Sequence, residues 1–181
     1  MPDLTAQRRV PEISTSRAVQ ALAPAARYLL RGAEEVRAAA ERALGVPVPA
    51  SPCRAGVAEQ RAALWLGPDE WLLIGPEAGS AALAALLDGA LRELPHSLVD
   101  VSQRQCALSV SGAAAALILA GGCPLDLDTS AFPVGMCTRT MLGKAEIVLW
   151  RTAPEVFRLE VWRSFIPYVS QFLAEAARGI I

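Results

Sequence analysis

His96, Asp100 and Ser102 carry the three side-chain types of a nucleophilic triad, and His96 is the one histidine of the sequence. A triad works only when the imidazole reaches the hydroxyl and the carboxylate reaches the imidazole, so all three groups must converge. Asp100 and Ser102 lie four and six positions beyond His96 at a predicted helix-to-strand junction, and nothing in that spacing aims them at one point. His96 reads as a turn histidine before a strand. Lys144 has the amine for a Schiff base, but it follows Gly143 in a tight turn, where a lysine is solvated. Asp126 and Asp128 in "CPLDLDTSAFP" offer two carboxylates, whereas a hard cation takes about six to eight oxygens. That stretch reads as a loop around buried Leu125, Leu127 and Phe132. The four cysteines, Cys53, Cys106, Cys123 and Cys137, form no CxxC and have no histidine at ligand spacing, which argues against a zinc site or a redox pair. No catalytic, cofactor-binding or metal-binding residue is assigned in this chain.

Recognition is the chemistry left to consider. Trp65, Trp71, Trp150 and Trp162 sit in or beside predicted strands, where they serve either a core or a protein interface. Arg104, Arg139 and Arg163 lie on or next to strands, where a charge must be paired or reach a partner. Trp71, Arg104, Trp162 and Arg163 are the candidate interface residues, with Arg163 beside Trp162 as the preferred pair.

Residues 105–125, beginning "QCALSVSGAAAALILAGGCP", carry no charge. A membrane helix would have to run through Ser109, Ser111, Gly112, Gly121, Gly122 and Pro124, far short of the ~20 continuous apolar residues a span needs. Neither GxGxxG nor GxxxxGK[ST] occurs, which removes the phosphate-loop readings. A buried strand followed by a buried helix remains.

The surrounding elements repeat. Residues 27–30, "RYLL", read as a strand closed by Gly32, and residues 33–44 as an amphipathic helix with Val36, Ala40, Ala43 and Leu44 on one side, stopped at Gly45. Residues 62–75 read as a hairpin around Gly67-Pro68-Asp69-Glu70, and Ser80 as the cap of a helix with Leu83, Leu86, Leu87, Ala90, Leu91 and Leu94 at helical spacing. The order then recurs: strand 106–112, helix 113–120 stopped by "GGCP", strands in "CTRTML", "AEIVLW" and "VFRLEVW", and a last helix with Ser164 as cap and Pro167 in its first turn. The pattern predicts an α+β fold of two similar strand-helix-strands-helix halves, about 24–95 and 96–181, whose antiparallel strands can join into one sheet backed by helices. An extended arm is expected over 1–23. The first-half helix carries five charged residues and its second-half counterpart none, so the second is expected to be covered on both sides, by its own chain or by another subunit.

Composition agrees with a covered surface. The chain is 53% apolar and 19% charged, more apolar than most soluble domains. Seventeen Lys and Arg stand against eighteen Asp and Glu without basic clustering, which speaks against nucleic acid. The first 17 residues are polar and lack an apolar signal core, so a reducing, cytoplasmic setting is the expectation.

Four stretches, "LWLGPDEWLLIG" (64–75), "LVDVSQRQCALSVSG" (98–112), "CPLDLDTSAFPVGMCTRTMLGKAEIVLW" (123–150) and "FRLEVWRSFIPYVSQFL" (157–173), together resemble the gamma subunits of heterotetrameric sarcosine oxidases. The resemblance runs over about residues 60–178. It implies alpha, beta and delta partners, with FAD, FMN and NAD on alpha and beta and zinc on delta. The implied complex oxidises sarcosine to glycine with tetrahydrofolate as one-carbon acceptor, and its gamma subunit serves assembly rather than catalysis. It implies a fold like the folate-binding aminomethyltransferases, with no folate contact carried onto a residue here. Gamma chains of oxidases or dehydrogenases of other N-methyl amino acids, such as N-methylglutamate, are similar. The alternative from another class is a stand-alone folate-binding one-carbon transferase or maturation factor.

Overall fold

The computed structural model describes residues 18–180, so most of the arm expected over 1–23 lies outside the described residues. Its last part forms strand β1, Val19–Ala21. Strand β2, Ala25–Gly32, leads into helix α1, Glu34–Leu44, whose Val36, Ala39, Ala40 and Leu44 are buried. On the opposite face Arg37 pairs with Glu34 at 2.6 Å and Glu41 at 2.9 Å, the i,i+3 and i,i+4 spacing that helices favour. The helix ends at Gly45, whose φ of 66° is left-handed and whose N–H reaches the Glu41 carbonyl at 3.0 Å. Strands β3, Ala55–Ala58, β4, Arg61–Gly67, and β5, Glu70–Pro76, follow, then helix α2, Ser80–Leu91.

After α2 the order recurs as strands β6, His96–Asp100, and β7, Gln105–Ser111, helix α3, Ala115–Ala120, strands β8, Cys137–Leu142, β9, Ala145–Ala153, and β10, Val156–Trp162, and helix α4, Ile166–Arg178. Among the described residues no helix is long and apolar enough to cross a membrane. Neither expected serine cap forms. A 3-10 turn precedes α2 and another precedes α4, and their carbonyls at Glu77 and Arg163 take the N–H groups of Ser80 and Ile166. The Ser80 hydroxyl instead meets the Tyr28 hydroxyl at 2.8 Å.

The strands form two five-stranded antiparallel sheets rather than one continuous sheet, in the orders β1-β7-β10-β9-β8 and β3-β4-β5-β2-β6. One bridge, Arg54 to Met136, ties them at the β3 and β8 edges. The reason is that the central strands are apolar on both faces. On β5, Trp71 and Leu73 pack with α1 and α2, while Leu72 and Ile74 face Cys137, Val148 and Trp150 of the other sheet. On the second sheet Leu108, Leu149 and Leu159 pack against Ile118, Val169 and Leu173 of α3 and α4. A sheet apolar on both faces needs two covers, and the result is four layers: helices, sheet, sheet, helices. Each repeat also lends its first strand to the other's sheet, β1 pairing with β7 and β6 with β2.

Helix α3 buries Ala115, Ile118 and Leu119 and leaves Leu117 59% exposed, so among the described residues it is covered on one side only.

Candidate functional site

The space between the sheets holds the most unusual chemistry of the molecule. Strand β10 alternates Phe157, Leu159 and Val161 toward the helices, which sends Arg158, Glu160 and Trp162 to the other face. That face is not solvent but the second sheet. Arg27 of β2 and Glu160 are each 1% exposed, and Arg27 Nε donates to Glu160 Oε2 at 2.5 Å. Arg158 Nε donates to Glu160 Oε1 at 2.8 Å, and Arg27 Nη1 donates to the Ala25 carbonyl at 2.9 Å. One carboxylate thus holds two guanidiniums and clasps the sheets. Arg27 Nη2 and Gln105 Oε1 are buried without a protein hydrogen-bond partner, and both side chains line a cavity of about 20 Å³, room for a single water.

A second link between the sheets joins Arg139 of β8 to Glu70 of β5, with Nη1 donating at 3.1 Å to Oε2. The Arg139 hydrogen bonds hold the Glu70 carboxyl below the usual carboxylate range, against the upward push of its partial burial. A depressed folded-state pKa means stability that is present above the unfolded value and lost as pH falls through the folded one. Glu70→Gln is therefore expected to lower the urea midpoint at neutral pH and to match wild type in strong acid. Because Arg139 is partly exposed, the neutral-pH gap should stay within about 1 kcal/mol. An equal gap at every pH would show that the pair is not its source.

At one end of the cleft the candidate interface residues sort themselves. Trp71 is a core residue, 2% exposed, with its indole N–H donating to the Pro49 carbonyl at 2.7 Å, so no second chain can meet it. Trp162 is 40% exposed, and its neighbour in space is Arg104, whose guanidinium carbon lies 5.1 Å from the indole centroid. Arg163, named with Trp162 as the preferred interface pair, turns back to the loop before β7: its Nε donates to the Gln103 carbonyl at 2.9 Å and its backbone N–H to the Arg104 carbonyl at 2.8 Å. Arg104, Trp162 and Arg163 thus come together, with Arg104 the arginine that lies over the indole.

The residues weighed for catalysis stay apart. His96 Nδ1 meets the Leu94 carbonyl at 2.8 Å, Asp100 Oδ1 accepts from the Ser102 N–H at 2.8 Å, and Ser102 Oγ accepts from the Arg27 N–H at 2.9 Å. Each is occupied by backbone, and none touches another's side chain in the order a triad needs. Lys144 is exposed in its turn, its N–H donating to the Tyr168 hydroxyl at 3.1 Å. Asp126 and Asp128 fold their carboxylates onto the backbone N–H groups of Asp128 and Ser130, at 2.9 and 2.8 Å, and the Ser130 bonds hold the Asp128 carboxyl below its ordinary range. Arg151 pins this loop from inside, with Nη1 donating to the carbonyls of Leu127 at 3.1 Å and Phe132 at 2.8 Å. Among the described residues no three His, Cys, Asp or Glu are placed to hold a metal ion. All four cysteines are free, and burial pushes the Cys137 thiol up to about 12.

Sequence reasoning missed Arg27, Glu160 and Arg151. The usable signal was the run "RYLL" and "VFRLEVW", charged residues alternating inside strands that are otherwise apolar.

Comparison with known proteins places the chain. The family described as "Sarcosine oxidase, gamma subunit family" matches residues 31–179. Sarcosine oxidase subunit gamma of Corynebacterium sp. (strain P-1) is 40% identical over 122 residues, 67% of this chain and 59% of that relative. Its counterpart in Corynebacterium sp. (strain U-96) is 38% identical over 140 residues, 77% of this chain and 67% of the relative. The matched part thus spans about three fifths to two thirds of these curated relatives' length. A chain of the solved heterotetrameric sarcosine oxidase from Corynebacterium sp. U-96, in complex with pyrrole 2-carboxylate, superposes with a TM-score of 0.84 at 34% identity, covering 93% of this chain and 88% of that one. The glycine cleavage system aminomethyltransferase T from Bartonella henselae superposes with a TM-score of 0.66 at 11% identity over 88% of this chain and 46% of that one, a likeness of fold alone.

Proposed function

The chain belongs to the sarcosine oxidase gamma subunit family, and from that premise we propose that it is a non-catalytic subunit of a heterotetrameric, flavin-dependent oxidase. In this reading the complex converts sarcosine to glycine in the cytoplasm and passes the one-carbon unit to tetrahydrofolate. The alpha and beta subunits hold FAD, FMN and NAD, the delta subunit holds zinc, and this chain serves assembly and stability. The observation that carries the reading is the 0.84 superposition, across 93% of the chain, on a chain of a solved heterotetrameric sarcosine oxidase. The half-exposed Arg104–Trp162 pair and the uncovered side of α3 suit a chain with partners.

The rival reading, a stand-alone folate-binding transferase or maturation factor, draws on the aminomethyltransferase fold. It needs a cavity of roughly 300 Å³ or more with a free carboxylate for the pterin. The two cavities between the sheets are about 20 Å³ each, and Glu160, which lines one of them, is already engaged by Arg27 and Arg158. Two larger hollows of about 540 Å³ each are open grooves, one beside α4 and one between α1 and α2; the second holds no carboxylate and the first only Glu175, already paired with Arg178, so support stays with the accessory subunit.

Affinity capture of the tagged full chain from its native extract tests this. Larger subunits are expected in fixed ratio, with flavin absorbance and with peroxide formation on sarcosine. Peroxide formed on N-methylglutamate instead would keep the subunit role and change the substrate. A colourless chain recovered alone, binding a reduced folate saturably, would overturn the reading.

A further inference from the structure

Resting on the accessory-subunit reading, we propose that Arg104, stacked on Trp162, is the point at which a carboxylate of a larger subunit docks. The geometry singles out this cation. Arg27 and Arg158 are paired with Glu160, and Arg139 with Glu70, whereas among the described residues no carboxylate lies within ion-pair distance of Arg104. Its backbone is held on both sides: the Arg104 N–H donates to the Val101 carbonyl at 3.0 Å, and the Arg104 carbonyl accepts from the Arg163 N–H at 2.8 Å. The preceding Gln103 carbonyl accepts from Arg163 Nε at 2.9 Å. The guanidinium is therefore presented on a fixed loop and laid over an indole, 5.1 Å from its centroid.

A planar fork held in this way loses little freedom on binding, and it matches the two oxygens of a carboxylate. The charge is complementary to an acidic side chain and not to nucleic acid, since Arg104 is one cation rather than a basic stripe. Burial of the half-exposed Trp162 under the partner would exclude water from the ion pair and strengthen it. Exposed pairs contribute little, while tryptophan and arginine at the centre of an interface dominate binding.

The test co-expresses the full chain with its larger subunits and reads the subunit ratio captured on its tag at physiological salt. Arg104→Glu, which places a carboxylate against a carboxylate, is expected to reduce capture about tenfold or more. Trp162→Ala should reduce it too, and Arg104→Lys, which keeps the charge and loses the fork, should fall between. Arg42→Glu, in the last turn of α1, is the control and should leave capture unchanged. Arg104→Lys also covers the case in which the reversal disturbs the loop, which thermal melting of each variant will report. Wild-type capture with Arg104→Glu and Arg104→Lys both unaffected would overturn the docking point and leave the accessory reading standing. A wild-type chain that captures nothing would overturn both.

Discussion

Glu160→Gln is expected to lower the unfolding free energy of the full chain by about 3–5 kcal/mol, read as a drop in the urea midpoint at constant slope. Glu160 is 1% exposed and, among the described residues, is the one ion-pair partner of both Arg27 and Arg158. An amide in its place leaves the buried Arg27 guanidinium, and beside it the partly exposed Arg158, without a counter-charge. Desolvating a charge is what makes such sites costly, so the loss should exceed that of an ordinary core truncation of similar size. The pair's net contribution is a separate quantity. Arg27→Met with Glu160→Leu removes both charges, while Arg158, partly exposed, can turn its head to water. The double variant should recover most of the stability lost by Glu160→Gln. If it is as unstable as the single variant, the lost Arg27 Nη1 bond to the Ala25 carbonyl and the lost packing of the side chain, rather than the missing counter-charge, set the cost.

Gly56→Ala is expected to be the most damaging small substitution in the chain, about 4 kcal/mol or more, and to appear as insoluble protein or a collapsed melting temperature. A Cβ at Gly56 would sit 1.7 Å from the Pro47 carbonyl oxygen and 2.7 Å from its carbon. Both are backbone atoms, so no side chain can rotate away. Strand β3 would have to leave either the segment after α1 or its partner β4, where Gly56 faces Ala63. Gly89→Ala is the matched control: it lies inside α2 and a Cβ there meets nothing within 4 Å. It should gain about 0.5–1 kcal/mol from helix propensity. Equal behaviour of the two variants would mean that the close approach at Gly56 relaxes freely.

The two substitutions probe features of unequal visibility in the sequence. Gly45 as a helix stop, the hairpin at Pro68-Asp69, the amphipathic spacing of α1 and Pro167 in the first turn of α4 all follow from local rules, and the structure has them. The order of elements in the repeat is equally local, being carried by glycine and by the change of apolar period from two to 3.6. The family was legible as well, because the stretches at 64–75, 98–112, 123–150 and 157–173 are distinctive in combination.

Gly56 in "AGVA" looks like any strand glycine, and its need arises from Pro47, nine positions earlier in the irregular segment after α1. Glu160 and Arg158 share a face with Trp162 by simple alternation, yet alternation tells only which side chains lie together and not what lies opposite. Whether that face met water or a second sheet was decided by the apolar inner face of β4 and β5, more than eighty positions away in the chain. The same limit explains Trp71 inside the core and Arg104 over the Trp162 indole. The sequence by itself determined the elements, their order, their apolar stripes and the family. Only the tertiary structure decided which charges are buried, which tryptophan is outside and which arginine lies over it, because those depend on contacts between segments that no local spacing encodes.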